Sequence, residues 1–159
     1  MSGINIARNV GALGDLLTLS APATAVAAGS GDATSTTGTA IDRLSYSSGG
    51  IPNSALVGVA WSATLASGKT LSMALTVQDS ADNSKWADYS TVASAVVSTG
   101  GSGGSTNIGQ TNVAVDLTNA RRYVRLNFQP DLNAAGTDTA TMIGTGFFAG
   151  WDRLPAPTN

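Results

Sequence analysis

Apolar and polar residues alternate along most of this chain with a period of two. Between Ala55 and Ala66, Val57, Val59, Trp61, Ala63 and Leu65 share one face, while Gly58, Ala60, Ser62 and Thr64 share the other. A half-buried strand needs that period. Ser67-Gly68 reads as a tight turn, and Leu71, Met73, Leu75 and Val77 repeat the alternation beyond it. Asp79 to Ser84 is a turn by composition, and Trp86 and Tyr89 open a strand running to about Val97. Val113, Val115 and Leu117 give the next strand, Arg121 to Gln129 the one after, and Thr139 to Phe148 the last. Weaker strands are expected near Thr18 (LTLSAPATAVAAG) and from Thr39 to Tyr46. The predicted core is Val57, Val59, Trp61, Leu71, Met73, Leu75, Val77, Val113, Val115, Leu117, Val124, Leu126 and Phe128.

About eight strands at spacings of roughly 10–20 residues predict an all-β fold, an antiparallel β-sandwich or jelly roll. No helical period separates the strands, which excludes a parallel α/β architecture. The segments between them are breaks: GSGDATSTTG, SSGGIPNS and PDLNAAGTD. Ser98 to Gln110, the longest low-complexity stretch, reads as a flexible surface loop. Residues 1–17 read as an N-terminal arm, 18–149 as the sandwich domain and 150–159 as an extended tail. Arm and tail place Ile4, Ile6, Leu16, Leu17, Trp151 and Leu154 among Gly or Pro residues without strand periodicity. Such groups gain burial on a neighbouring surface, which makes both ends candidate contact segments, with Arg8 and Arg153 beside them.

Composition sharpens this reading. Of 159 residues 42% are hydrophobic, near the globular norm, while only 11% are charged, less than half of it. Every acidic residue is Asp, so strong helix formers are scarce and Thr, Val and turn-forming residues take their place. A net charge of -2 gives no electrostatic footprint for nucleic acid. No apolar run reaches the length of a membrane helix, and Met1 to Leu19 lacks the layout of a secretory signal. The absence of Cys suits synthesis in a reducing cytoplasm.

The same composition bears on chemistry. Without His or Cys, the usual nucleophile systems and imidazole or thiolate metal sites are missing. No Asp sits in an apolar run that would raise its pKa for glycosidase work. The expectation is therefore a non-enzyme with no cofactor. Asp79, Asp82, Asn83 and Asp88 are the best metal candidates, as Ca²⁺ takes carboxylate and amide oxygens from one loop. The same residue types are also the default of a hairpin turn, and the spacing is not that of an EF-hand. Arg121, Tyr123, Arg125 and Asn127 alternate onto one face, opposite Arg122, Val124, Leu126 and Phe128. That stripe is either a surface for an acidic partner or a solvated sheet face. Trp151 is either a lid on the sandwich or an anchor in a neighbouring subunit.

The run ALTVQDSADNSKWADYSTV, followed by RRYVRLNF and a closing Thr-rich strand, resembles the jelly-roll cement, or decoration, proteins on the heads of tailed bacteriophages. The likeness spans roughly Thr18 to Gly150 and places Trp86 and Tyr89 after the hairpin and Arg121–Phe128 in a central strand. It implies no active site. It implies attachment to the outside of a major-capsid-protein shell, bridging neighbouring capsomers on the virion head; on such a repeated lattice closed symmetry is the usual solution, so a homo-dimer or trimer is expected. Two other classes are consistent with the residues: a carbohydrate- or receptor-binding β-sandwich using Trp86, Tyr89 and Trp151, and a phage tail or baseplate component.

Overall fold

The alternating segments become strands of two antiparallel sheets. The computed structural model describes residues 14–45, 50–134 and 136–153, with side chains through Gly150. In chain order the strands are β1 (Gly14–Thr18), β2 (Ala23–Val26), β3 (Thr36–Thr37), β4 (Ile41–Asp42), β5 (Gly50–Leu65), β6 (Thr70–Ser80), β7 (Ala87–Thr99), β8 (Ser105–Asp116), β9 (Tyr123–Leu132) and β10 (Thr139–Arg153). One sheet runs β1-β10-β5-β8, with β2 also on β10; the other runs β3-β9-β6-β7, with β4 also on β9.

The four short strands fill two positions. β1 and β2 lie end to end along β10, opposite Thr145–Ala149 and Thr139–Met142. β3 and β4 lie likewise along β9. Counting each pair once leaves eight ladder positions, in the order 1-8-3-6 in one sheet and 2-7-4-5 in the other. That interleaving is the jelly roll: two sheets joined by connections that keep crossing between them.

The inward faces meet in one core. Twelve of the thirteen predicted core residues are buried, and Val113 is half-buried against the rest. Leu19, Ala55, Leu65, Leu132, Met142 and Phe148 complete the apolar filling. Outward positions of β5, β6 and β10 are mostly more exposed than their inward neighbours, Gly58 and Ser80 excepted, as a sandwich with solvated outer faces requires.

Four boundaries stand out against the sequence expectation. Ser105–Gln110, expected as loop, is the first half of β8 and pairs with β5 from Leu65 to Ala60. Only residues 100–104 turn, with Gly103 and Gly104 at positive φ. Gly and Ser in 105–110 hid a strand whose side chains need little bulk, because Trp61 fills the space over it. β5 begins at Gly50 rather than Ala55. The ladder also takes in Gly14–Leu17 and Gly150–Arg153, which the sequence reading assigned to the arm and the tail. Pairing to β10 and β5 supplies backbone bonds there that the side-chain pattern does not announce.

Candidate interaction surface

The two outer faces differ in character. On the β3-β9-β6-β7 sheet the expected stripe is present: Tyr123, Arg125 and Asn127 point outward from β9, while Val124, Leu126 and Phe128 point into the core. Arg125 donates from Nε (2.9 Å) and Nη2 (2.7 Å) to Gln78 Oε1, which also accepts from Asn127 Nδ2 at 2.8 Å. Gln78 Nε2 donates to Asp88 Oδ1 at 2.7 Å. The Arg125 guanidinium lies 4.1 Å from the centroid of the Trp86 ring, a cation–π contact. Burial under these neighbours lowers the Arg125 pKa.

Arg121 and Arg122 precede the strand rather than continuing its alternation. The Arg121 N–H donates to Asp79 Oδ2 at 2.8 Å, and its half-exposed guanidinium stands 3.8 Å from the same carboxylate. Arg122 grips Asp42 with two bonds, 3.0 and 2.6 Å, and lies over the Tyr123 ring. It therefore sits outside the core-facing row in which the alternation had placed it.

The Asp-rich turn is committed to local bonding. Asp82 Oδ1 accepts from the N–H groups of Lys85 (2.8 Å) and Ser84 (2.9 Å), which hold its carboxyl far below the usual range. Asn83 takes a positive φ of 60°, a conformation Asn tolerates in turns. Asp79 points to Arg121 and Asp88 to Gln78, so the carboxylates face different partners. Among the described residues no group of three or more potential metal ligands converges.

The outer face of the β1-β10-β5-β8 sheet is of another kind. The register lines up rows across it: Leu16, Phe147, Leu56 and Ala114; Thr18, Thr145, Gly58 and Asn112; Thr141, Ser62 and Ile108. From Leu16 to Ala149, its outward positions carry a single charge, Asp116, at one end. Leu16 is 77% exposed, Leu56 42% and Ile108 84%. An open groove on this face is lined by the outward-facing Ala60, Ser62, Ile108, Thr141 and Ile143, with Pro22 beside them.

The candidate contact residues separate accordingly. Leu16 projects from this uncharged face, whereas Leu17, one position on, packs against the core. Tyr123 and Arg125 lie on the opposite sheet, so the stripe and Leu16 do not form one patch. Ile4, Ile6, Arg8 and Leu154 lie outside the described residues. Trp151 and Arg153 have backbones paired to Pro52 and Gly50, and their side chains also lie outside the description.

Sequence reasoning missed Arg43. It is buried and donates to the carbonyls of Pro52 (3.2 and 2.8 Å), Leu117 (2.7 Å), Arg121 (3.1 Å) and Ala120. One guanidinium thus ties the start of β5 to the turn between β8 and β9. A lone Arg between Asp42 and Leu44 gives no signal of this, since its acceptors lie up to 78 residues away.

No protein-family model and no curated protein matches the chain. Solved structures of infectious bursal disease virus resemble it. The Gt strain aligns at 14% identity with a TM-score of 0.41, over 86% of this chain, and the Gx strain at 11% with 0.42, over 87%. The chain spans about a third of the length of each, 33% and 32%.

Proposed function

We propose that this chain is a non-enzymatic structural protein of a bacteriophage virion, a cement or decoration protein. It binds the outside of the major-capsid-protein shell and stabilises it, acting as a homo-dimer or trimer. The observation that carries this reading is the uncharged outer face of the β1-β10-β5-β8 sheet, with Leu16 and Leu56 exposed in one row. Apolar groups exposed in one row on an otherwise uncharged face mark a place where another protein sits. Oligomers need only modest affinity per subunit, because several contacts made together multiply through effective concentration. The Ser-, Thr- and Ala-rich surface loses little side-chain entropy on docking.

Sugar binding gains no support from the described aromatics. Arg125 lies over Trp86, Arg122 over Tyr123, and Tyr89 donates its hydroxyl to Asp116 O at 2.7 Å. Binding of a β-sandwich to glycans uses aromatic faces left open.

Electron microscopy of purified virions carrying a labelled copy tests the proposal. Density on the outer head lattice is expected. Label on the tail or baseplate, or its absence from virions, overturns it.

A further inference from the structure

Sheet edges are where two copies of a β-protein join if nothing prevents it, because an edge strand offers a row of unpaired N–H and C=O groups. Among the described residues the two sheets have four edges, and three are blunted. The β1/β2 edge is interrupted at Ser20, Ala21 and Pro22. The β3/β4 edge consists of two two-residue strands. β7 is bulged against β6 at three places and carries Asp88. Broken strands, bulges and charge are the devices by which sheets avoid edge pairing.

β8 is neither broken nor bulged, and its one charge, Asp116, is its last residue. Its 12 residues run in unbroken register with β5, from Ser105 opposite Leu65 to Asp116 opposite Ser54. It contains no Pro, and no charge precedes Asp116. Among the described residues β5 is the only strand that pairs with it in a ladder, while β7 reaches its ends through side-chain bonds, Tyr89 to Asp116 O and Asn107 to Ser98 and Thr99.

We propose that β8 pairs antiparallel with β8 of a second copy about a two-fold axis, joining two sheets into one continuous sheet. The occupant is a second copy because a strand whose one charge stands at its end, opposed antiparallel to itself, sets no like charges against each other, and a two-fold contact uses one surface twice. Ile108, 84% exposed, gains cover in such a pair from the neighbouring strand and its side chains. A strand of this length is about 40 Å long in a sheet about 10 Å thick, so the seam covers roughly 400 Å² per copy. That is below the standard size of about 800 Å² per partner, which makes the dimer one that dissociates on dilution.

The inference rests on the self-association proposed above, and its test separates the two. Sedimentation velocity of the full chain over a wide concentration range is expected to show monomer passing to dimer. Ile108→Lys/Gln110→Lys puts cations on exposed edge positions and is expected to leave monomer throughout, with an unchanged circular-dichroism spectrum and melting temperature. Val96→Lys, at a 59% exposed position on β7, is the control and is expected to dimerise normally. A wild-type chain that stays monomeric at every concentration overturns both the seam and the self-association. An oligomer that survives the two lysines keeps self-association and removes β8 as its seam.

Discussion

Gly109 lies directly opposite Trp61 in the β5–β8 register, and a Cβ placed on it would fall 2.4 Å from the indole Cζ2. The ring covers this glycine and donates from Nε1 to Thr111 Oγ1 at 3.3 Å, so the edge strand and the core share one side chain. Gly109→Ala must therefore push the indole or bend β8. Overpacking of this kind costs about 1–3 kcal/mol. A urea titration followed by tryptophan fluorescence should show that loss, together with an altered native emission. Gly103→Ala has open space at its Cβ but a positive φ, and should leave the native emission unchanged.

Arg43 makes a second prediction. Its guanidinium satisfies carbonyls from Pro52, Leu117, Ala120 and Arg121. Arg43→Met keeps much of the volume and strands those acceptors, at about 1–3 kcal/mol for each one left buried and unpaired. The expected total is roughly 3 kcal/mol, because water reaches some of them. Arg43→Lys restores a charge without the planar fork and should recover only part. Denaturation midpoints for the three proteins order the effect; equal stabilities for wild type and methionine would remove Arg43 from this role.

Long strands with strict alternation were legible in the sequence because burial on one face writes itself into every second residue. Val57 to Leu65 and Leu71 to Val77 fall in this class, and Val124 to Phe128 of β9, which pairs with the second of these, follows the same rule. What was not legible depends on backbone pairing or on distant acceptors. Gly14–Leu17 joins the sheet through β10, and Ser105–Gln110 through β5, without a bulky inward row of their own. Trp61 supplies the missing bulk for β8 from the neighbouring strand. The Arg121–Arg125 stripe was legible as alternation from Tyr123 onward, but not that Gln78 and Trp86 engage Arg125. Those two residues come from other parts of the sheet, which a local pattern cannot name.

Stability should depend on pH in one direction only. Arg122 lowers the pKa of Asp42 through a paired hydrogen bond, Lys85 and Ser84 N–H groups lower that of Asp82, and Thr118 lowers that of Asp116. Each carboxyl is more acidic folded than unfolded, so the unfolded chain binds more protons once the pH nears the ordinary Asp value of about 3.9. Their contribution is present above that value and is lost as the pH falls through the folded pKa values. The chain has no His, Cys or Glu to titrate nearer neutrality. Calorimetric melting temperatures should be flat from about pH 6 to 8 and fall below about pH 4. Asp82→Asn should flatten the acid limb, and a wild-type decline already beginning near pH 6 would contradict this assignment.

Leu16 and Leu17 are neighbours in sequence with opposite tasks, which separates folding from attachment. Leu17 packs against the core, so Leu17→Ala should lower the melting temperature. Leu16 projects from the uncharged face, 77% exposed, in a row with Phe147 and Leu56. Leu16→Asp removes little from the isolated fold, and its carboxylate at a sheet edge stays in water. On a shell surface the same substitution forfeits the burial of a large apolar side chain, about 1.5–3 kcal/mol, and adds a desolvated charge. Binding to shells stripped of this protein should weaken about tenfold or more, since 1.4 kcal/mol is a factor of ten. Leu56→Asp, in the same row on the next strand but one, should behave alike, whereas Arg125→Gln on the opposite sheet should not. Co-sedimentation of the three variants with shells measures this. If Arg125→Gln alone abolishes binding, the contact lies on the charged sheet and Leu16 is an ordinary exposed leucine.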